Sequence, residues 1–202
     1  MSERDVGLRD RLVAVGVDLV AAEGVQALSL REIARRAGVS HGAPRRYFPT
    51  HLALLCAIAR QGFADLADRA AATTGSQGDP RARLTALGRA YLDFALTNRG
   101  MFELMFRHDL LESNELGLRD TSLPLFEVLV GLVTRAQQQQ QEKPQSPRSD
   151  AEPRVVAGAL WANLHGIAQL WGWGSLRLAA GADEVEPLLL AALDAHLGPE
   201  AR

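Results

Sequence analysis

The sequence predicts an all-α protein with two parts: an N-terminal three-helix domain that contains a helix-turn-helix, over residues 1–50, and a larger helical domain over residues 51–202. Two observations support this prediction. Apolar residues recur at helical spacing along most of the chain, and no segment shows the alternation typical of a strand. Charge is also divided, because residues 1–60 hold nine basic and six acidic side chains, whereas residues 61–202 hold thirteen and eighteen. About nine helices are expected.

The first element is a helix predicted over residues 8–23. Gly24 is expected to end it, since glycine accepts the left-handed backbone that commonly closes a helix. One apolar stripe should cover the helices behind it: Leu8, Leu12, Val15, Leu19 and Ala22. Arg9 and Arg11 lie near its start, where phosphate contact and plain solvent exposure are equally good interpretations.

The stretch SLREIARRAGVSHGAPRRYFPTHLALL, which begins at Ser29, is the most informative part of the chain. Ser29 and Glu32 form a capping-box pattern, in which each side chain bonds to the other residue's backbone N–H at the start of a helix. Gly38 is predicted to end that helix in a left-handed conformation. Ser40 is predicted to cap a second helix that begins at His41, so that the pair forms a helix-turn-helix.

This second helix is predicted to carry a basic outer face. Pro44 and Phe48, four residues apart, are expected to point inward. The side chains left outside are those of His41, Gly42, Arg45 and Arg46. Six arginines and a single acid occur between residues 25 and 60, and a major-groove helix would use such arginines on phosphates and guanine edges. Gly42 and Ala43 are small enough for close approach to the bases; the alternative is a merely solvated helical hairpin.

The stretch resembles the DNA-binding domain of the TetR family of bacterial transcriptional regulators. The matching residues are Gly24, Leu28, Ser29 to Arg31, Ile33, Ala34, Ala37 to Ser40, Phe48, Leu54 and Leu55. Arg45 stands where most members carry a tyrosine, and His51 stands where most carry a lysine. The resemblance implies a transcriptional regulator whose partner is a double-stranded DNA operator.

The DNA contacts are predicted from the helical spacing and from this resemblance together. Arg45, on the face opposite Pro44 and Phe48, is predicted to read a base, and Arg46 to contact a phosphate. The resemblance implies further contacts with the DNA backbone. The full predicted set is Ser29, Arg31, Ser40, His41, Gly42, Ala43, Arg45, Arg46, Tyr47 and His51.

The rest of the chain is predicted as further helices. They cover residues 51–72, 81–98, 101–111, 122–141, 152–179 and a last stretch behind a second capping-box pattern of Asp183 and Glu186. Thr50 and the Asp79–Pro80 pair supply starts for the first two. The five consecutive glutamines at 137–141 are interpreted as a frayed helix end, and residues 142–149 as a mobile loop.

The segment over residues 152–179 is the most apolar of the chain. It carries two stripes, Val156, Leu160, Leu164, Ile167 and Trp171 on one side and Val155, Ala159, Gly166, Leu170 and Trp173 on the other. A helix that is apolar nearly all round is buried on more than one side, so the last two helices are expected to form a homodimer through a four-helix bundle. TetR proteins typically pair in this way, and Trp161–Gly166 resembles the W-x-x-x-H-G pattern of one class of TetR C-terminal domains.

His165 lies in this apolar helix among tryptophans. It is interpreted either as a buried histidine satisfied by one hydrogen bond or as a polar group of a ligand site. A metal site is less favoured, because no histidine, cysteine or carboxylate lies three or four residues further on. The residues that would line an effector cavity, or form ordinary core, are Phe94, Met101, Phe102, Met105, Phe106, Phe126, Trp161 and His165.

Three functions are compatible with this pattern to different degrees. The first is a ligand-responsive repressor that binds a palindromic operator and is released by a small apolar effector. The second is a helical small-molecule binding module without specific DNA binding, and the third is a helical enzyme that uses His165. No phosphate loop, nucleophile elbow, HExxH or carboxylate pair occurs, so no enzyme activity and no cofactor are predicted. The charged N-terminus and the lack of a long apolar run predict a cytoplasmic protein.

Overall fold

The fold comes from a computed structural model, which describes residues 3–73, 78–142 and 151–199. These ranges contain ten α-helices and no strand. The helices are α1 Glu3–Glu23, α2 Leu30–Arg36, α3 His51–Thr73, α4 Pro80–Thr97, α5 Arg99–Met105, α6 His108–Ser113, α7 Leu118–Gln141, α8 Pro153–Gly172, α9 Ser175–Ala180 and α10 Glu186–Leu197. The predicted all-α class is confirmed.

The helix count exceeds the expected nine because two predicted helices are divided and one is replaced. The helix expected over residues 101–111 is divided into α5 and α6, and the one over 152–179 into α8 and α9. Gly174 has φ +80, a conformation that glycine adopts without strain, and it separates the latter pair. Short 3-10 helices cover Val25–Ala27, Pro44–Arg46 and Glu115–Gly117. The predicted mobile loop lies, from residue 143 onward, outside the described residues.

The chain forms two compact units. The first comprises Met1–Asp65 with Thr97–Ser122, and the second comprises Leu66–Leu96 with Leu123–Arg202. Helix α3 therefore contributes residues to both units. The functional boundary at residue 50 that the sequence suggests stays a prediction.

The core of the first unit includes one face of α1. Leu12 and Leu19 of the predicted stripe are fully buried, whereas Ala22 is exposed. The buried arc also includes Gly16 and Val20, which places Ala22 on the flank of the helix. A Cβ on Gly16 would lie 2.4 Å from Cδ1 of Ile58, so the missing side chain lets α1 and α3 meet closely.

Three of the predicted helix caps are confirmed by hydrogen bonds. They run from Glu32 N–H to Ser29 Oγ (3.1 Å), from Ala53 N–H to Thr50 Oγ1 (2.9 Å) and from Ala82 N–H to Asp79 Oδ2 (3.1 Å). Each bond satisfies one N–H that lacks a partner in the first turn. The capping box of Asp183 and Glu186 is wrong. Helix α10 follows Val185 without a side-chain cap, because Asp183 lies two residues too early.

The interpretation of the glutamine run as a frayed end is also wrong, since α7 continues through Gln141. Gln137 is only 6% exposed and donates from Nε2 to the carbonyl oxygen of Ala151 at 3.2 Å. Gln140 donates from Nε2 to the carbonyl of Leu197, the last residue of α10. Carbonyls at a helix end lack partners within the helix, so this glutamine stabilises the end of α10.

Helix α8 places its two predicted stripes in different surroundings. The inner stripe is the set Val156, Leu160, Leu164, Ile167 and Trp171, and it is buried apart from a half-buried Ile167. The outer stripe is the set Val155, Ala159, Gly166, Leu170 and Trp173. On the outer stripe Val155 is 62% exposed and Trp173 69% exposed, and Leu170 is exposed between them. The middle of this stripe is formed by small residues. An apolar face with large ends and a shallow centre is thus left uncovered by the residues that the structure describes.

Candidate nucleic-acid interface and effector site

Helix α2 forms the first half of the candidate DNA-binding element. Ser29 caps its start, and Gly38 ends it with φ +67, as predicted. The N–H of Val39 bonds to the carbonyl of Ala34 at 3.0 Å, which closes the helix end around the glycine. Ile33 is buried, whereas Arg31 points into solvent. The helix therefore turns its basic side outward over an apolar base.

Glu32 does not complete the predicted capping box. Its carboxylate accepts hydrogen bonds from Arg35 Nε at 2.9 Å and from Arg36 Nε at 2.7 Å. These two charged hydrogen bonds lower the pKa of Glu32 to about 2. Arg36 also forms an ion pair with Glu23 at the end of α1. Two of the six arginines between residues 25 and 60 thus form ion pairs with acidic side chains of α1 and α2.

The second half of the element is not the α-helix that the sequence predicted. Residues from His41 onward form turns, and the only regular part is the 3-10 helix Pro44–Arg46. The physical reason is Pro44, which has no N–H to bond to the carbonyl of Ser40. That carbonyl accepts the N–H of Ala43 instead, at 3.0 Å. The backbone follows i to i+3 bonds until Phe48 bonds to Pro44 at 2.9 Å.

The predicted inward and outward faces survive this change of helix type. Pro44 and Phe48 are buried, and Phe48 is fully so. Of the predicted DNA-contacting residues, Ala43 and Tyr47 are half-buried. Those exposed are Ser29, Arg31, Ser40, His41, Gly42, Arg45, Arg46 and His51. The turn therefore displays two adjacent arginines above a buried ring, and their contact with DNA stays a prediction.

Two contacts that support this turn were not predicted. The guanidinium carbon of Arg9 lies 5.5 Å from the ring centroid of Phe48, a cation–π arrangement. The Nε2 of His51 lies 2.9 Å from the carbonyl oxygen of Leu28. The Nε2 of His51 is therefore engaged within the protein, on the backbone carbonyl of Leu28. Neither contact has a local sequence signal, since both partners are distant along the chain.

The second unit holds a hydrogen-bonded group around His165. Tyr91 Oη lies 2.9 Å from Nδ1 of His165, and Trp161 Nε1 donates to the same Oη at 3.1 Å. The Phe126 ring lies 6.1 Å from that of Trp161. Burial lowers the pKa of His165, which favours its neutral form, and burial raises the pKa of Tyr91. Three of the predicted effector-site residues are therefore brought together, and Tyr91 joins them from outside the predicted set.

The other predicted effector-site residues lie elsewhere in the fold. Phe94 is fully buried in the second unit, and the remaining four, Met101, Phe102, Met105 and Phe106, lie in the first. There a Cβ on Gly62 would lie 2.6 Å from Sδ of Met105 and 2.7 Å from Sδ of Met101. The Phe106 ring packs edge-on against Phe63, with centroids 5.5 Å apart. This half of the set packs as core against α3, and contact with a ligand stays a prediction for it.

The chain matches two family models. The model described as "Bacterial regulatory proteins, tetR family" covers residues 12–58, which include the helix pair and its turn. The model described as "Tetracyclin repressor-like, C-terminal domain" covers residues 84–193, more than half of the chain. The second match includes the Trp161–Gly166 segment and the group around His165.

Individual relatives agree with these matches. The chain is 36% identical over 81 residues to the HTH-type transcriptional regulator BetI of Rhizobium meliloti (strain 1021), and it spans 40% of that protein's length. A Rhodococcus sp. RHA1 protein of unknown function superposes with a TM-score of 0.70 at 33% identity, over 94% of this chain and 93% of that one. The Streptomyces coelicolor TetR transcriptional regulator SCO0520 superposes with 0.55 at 28%, over 96% and 99%.

Helix α2, the turn after it and their buried apolar base have the arrangement of a helix-turn-helix DNA-binding domain. The chain belongs to the TetR family of bacterial regulatory proteins. Among its described residues, no helix combines the length and the apolar character needed to cross a membrane. The same residues contain no group of three or more histidine, cysteine or acidic side chains placed to hold a metal ion.

Proposed function

We propose that this regulator is a repressor that binds a palindromic operator as a homodimer and leaves it when a small, mostly apolar effector binds. The observation that carries the proposal is the outer stripe of α8, an apolar face that is exposed within the described part of the chain. A single DNA-binding domain reads too few bases for a specific site, whereas two such domains related by a two-fold axis read both halves of a palindrome.

The dimer is proposed to form through α8 and α10. Large side chains at the ends of the outer stripe and small ones in its middle allow the close crossing of two helices about a two-fold axis. Leu190 adds an exposed apolar side chain on α10. The expected particle has twice the 21.8 kDa mass of the chain.

Light scattering on matched variants tests the dimer. Leu170→Asp places a charge in the outer stripe and is expected to give a monomer with weaker operator binding. Leu123→Asp places the same charge on an exposed leucine of α7, outside the proposed interface, and is expected to leave the dimer intact. Dimers that persist in Leu170→Asp, or that are lost equally in both variants, would contradict this interface.

DNA recognition is tested by selecting binding sites from random duplexes with the purified protein. The expected result is a palindromic site whose affinity falls steeply with salt, because arginines release counterions from the phosphates. Gel shifts with the DNA upstream of the protein's own gene supply a natural candidate site. Equally tight binding to random duplex at physiological salt would contradict specific regulation.

The effector is proposed to bind the second unit beside His165 and to act through α3. This helix begins directly after the turn that carries Arg45 and Arg46. Thr50 caps its start, and the helix continues into the second unit. An effector that binds one conformation better shifts the affinity for DNA, and such couplings are typically about 1–3 kcal/mol.

The His165→Ala variant tests this site. It is expected to stay on the operator when the effector is added, while DNA binding by the effector-free protein persists. If His165→Ala instead unfolds the protein and no compound raises the melting temperature of the wild type, the second unit is a packed dimerisation domain.

A further inference from the structure

The group around His165 suggests which atoms an effector meets. We propose that Tyr91 is a positioning residue that holds His165 in the tautomer protonated at Nε2, so that the effector site selects a neutral molecule with a hydrogen-bond acceptor. The ligand part rests on the proposed effector function, whereas the tautomer is a property of the protein alone. Neither a family motif nor the sequence spacing assigns this role to Tyr91.

The direction of the hydrogen bonds begins at Trp161. An indole has a donor and no acceptor, so the 3.1 Å contact must run from Trp161 Nε1–H to the oxygen of Tyr91. That bond occupies one lone pair of the phenol oxygen. It also polarises the hydroxyl, which makes the phenol O–H a better donor.

The next step is the 2.9 Å contact between Tyr91 Oη and His165 Nδ1. Two arrangements are possible, O–H···N from tyrosine to histidine or N–H···O in the opposite direction. A neutral imidazole nitrogen is far more basic than a phenol oxygen, since histidine takes up a proton near neutral pH. The phenol hydrogen therefore lies on the bond to Nδ1. Burial, which lowers the pKa of His165, keeps the ring neutral and Nδ1 available as an acceptor.

A neutral ring that accepts at Nδ1 carries its single hydrogen at Nε2. The nearby amide nitrogen of Gln169 is 3.5 Å from Nε2, at the outer limit for a hydrogen bond. With Nε2 as the donor, the proposed tautomer requires the Gln169 amide to present its oxygen to the ring, the alternative assignment of the same two amide positions, and at 3.5 Å this contact is weak. A carbonyl or ether oxygen that approaches more closely makes the stronger bond, whereas an ammonium group meets a donor and is rejected. The rings of Trp161 and Phe126 supply the apolar surroundings.

Nitrogen NMR of the full-length protein with ¹⁵N-labelled histidine tests the tautomer. The two ring nitrogens of a neutral histidine give distinct signals when protonated and unprotonated, and the His165→Gln variant assigns the His165 pair by its loss. The wild type is expected to show a protonated Nε2 and an unprotonated Nδ1. In Tyr91→Phe, which keeps the ring and removes only the hydroxyl, the signals are expected to shift toward a mixture of both tautomers.

Two results would overturn the positioning role: a wild-type His165 protonated at Nδ1, or an unchanged His165 spectrum in Tyr91→Phe. If Tyr91→Phe does not fold, Trp161→Phe serves in its place, because it removes the N–H that polarises the phenol. It is expected to shift the His165 signals in the same direction by a smaller amount, and unchanged signals there would equally overturn the proposal.

Three molecules of similar shape test the ligand class by calorimetry. Benzophenone carries one carbonyl acceptor, diphenylmethane carries none, and aminodiphenylmethane is a cation at neutral pH. Benzophenone is expected to bind about 2- to 10-fold more tightly than diphenylmethane, the range that one hydrogen bond supplies, and the cation least tightly. Equal affinities for the first two would overturn the acceptor requirement. If none of the three binds while the tautomer is as predicted, the ligand part of this proposal is overturned and the role of Tyr91 stands. The effector function itself fails only if no compound raises the melting temperature of the wild type.

Discussion

The turn that carries Arg45 and Arg46 and the group around His165 are built in opposite ways. In the turn, Arg45 and Arg46 lie outside and the adjacent Pro44 and Phe48 lie inside, so scaffold and surface come from one short run of sequence. In the second unit, Tyr91 and His165 meet at 2.9 Å although they are 74 residues apart. A site of the first kind can be identified from a motif, whereas a site of the second kind exists only after the helices pack.

The largest expected effect tests how strongly the turn depends on its scaffold. Phe48→Ala removes a fully buried ring and is expected to lower the free energy of unfolding by about 3–5 kcal/mol. The loss of DNA binding should accompany it, because the buried Phe48 anchors the end of the turn that carries both arginines. Urea unfolding followed by circular dichroism measures the change.

Phe126→Ala is the matched control for this prediction. Its ring lies under Arg154 at 5.4 Å, much as the Phe48 ring lies under Arg9 at 5.5 Å, but it is only half-buried. Less apolar area is therefore lost, and the destabilisation should be clearly smaller. Equal losses in the two variants would show that cation–π contact rather than burial dominates at both rings.

The next effect separates the two arginines of the turn. Arg45→Ala is expected to weaken binding to the selected operator by about 1–3 kcal/mol and to relax the preference at one base position. Arg46→Ala should weaken all duplexes alike and reduce the salt dependence of binding, as expected for a phosphate contact. Repeating the site selection with each variant measures both properties. An unchanged motif in Arg45→Ala would exclude it as the base-reading residue.

A comparison of two glycines tests the packing of the first unit against an open position in the second. Gly62→Ala would place a methyl group 2.6–2.7 Å from the sulfurs of Met105 and Met101, and overpacking of this kind destabilises by about 1–3 kcal/mol. Methionine is flexible, so the lower part of that range is expected. Gly131→Ala, on α7, meets nothing within 4 Å and should stabilise by about 0.4–1 kcal/mol. Thermal unfolding of both variants measures the two changes in stability. A stabilised Gly62→Ala would contradict the packing at Gly62, and a destabilised Gly131→Ala would contradict the open position at Gly131.

The sequence predicted what depends on neighbouring residues. The caps at Ser29, Thr50 and Asp79 and the turn at Gly38 are local, and each is confirmed. The all-α class follows from periodicity in the same way. The form of the second half of the helix-turn-helix was the exception, because the missing N–H of Pro44 outweighed a helical pattern.

What the sequence did not predict depends on partners that packing brings together. Gln140 looks like part of a polar tract until the carbonyl of Leu197, 57 residues away, accepts its hydrogen bond. Glu32 was expected to bond to its own helix start, but two arginines on the next turn compete for the same carboxylate. The predicted effector residues were chosen for their chemistry alone, so residues of two different units were combined into one set.

Acid should affect the two regions in different pH windows. Burial lowers the pKa of His165 below its ordinary 6.5, so the unfolded chain binds a proton first as the pH falls. The stability contributed by neutral His165 is therefore present above pH 6.5 and declines below it, through the lower pKa of the folded state. The pKa of Glu32 is lowered from 4.5 to about 2, so its contribution is present above pH 4.5 and is lost between 4.5 and about 2.

Unfolding measured from pH 8 to pH 2 resolves these windows. All three tryptophans lie between residues 161 and 173, so their fluorescence reports the second unit, and circular dichroism reports the helices of both. Glu127, whose pKa is lowered by hydrogen bonds from Arg154, adds an acid-sensitive pair to the second unit only below its ordinary 4.5. His165→Gln is expected to flatten the pH dependence of the free energy of unfolding just below pH 6.5 and to leave the window below pH 4.5 unchanged. Glu32→Gln is expected to flatten the window below pH 4.5 and to leave the one just below pH 6.5 unchanged. A His165→Gln profile that still falls below pH 6.5 as steeply as the wild type would mean that this histidine does not couple protonation to the stability of the second unit.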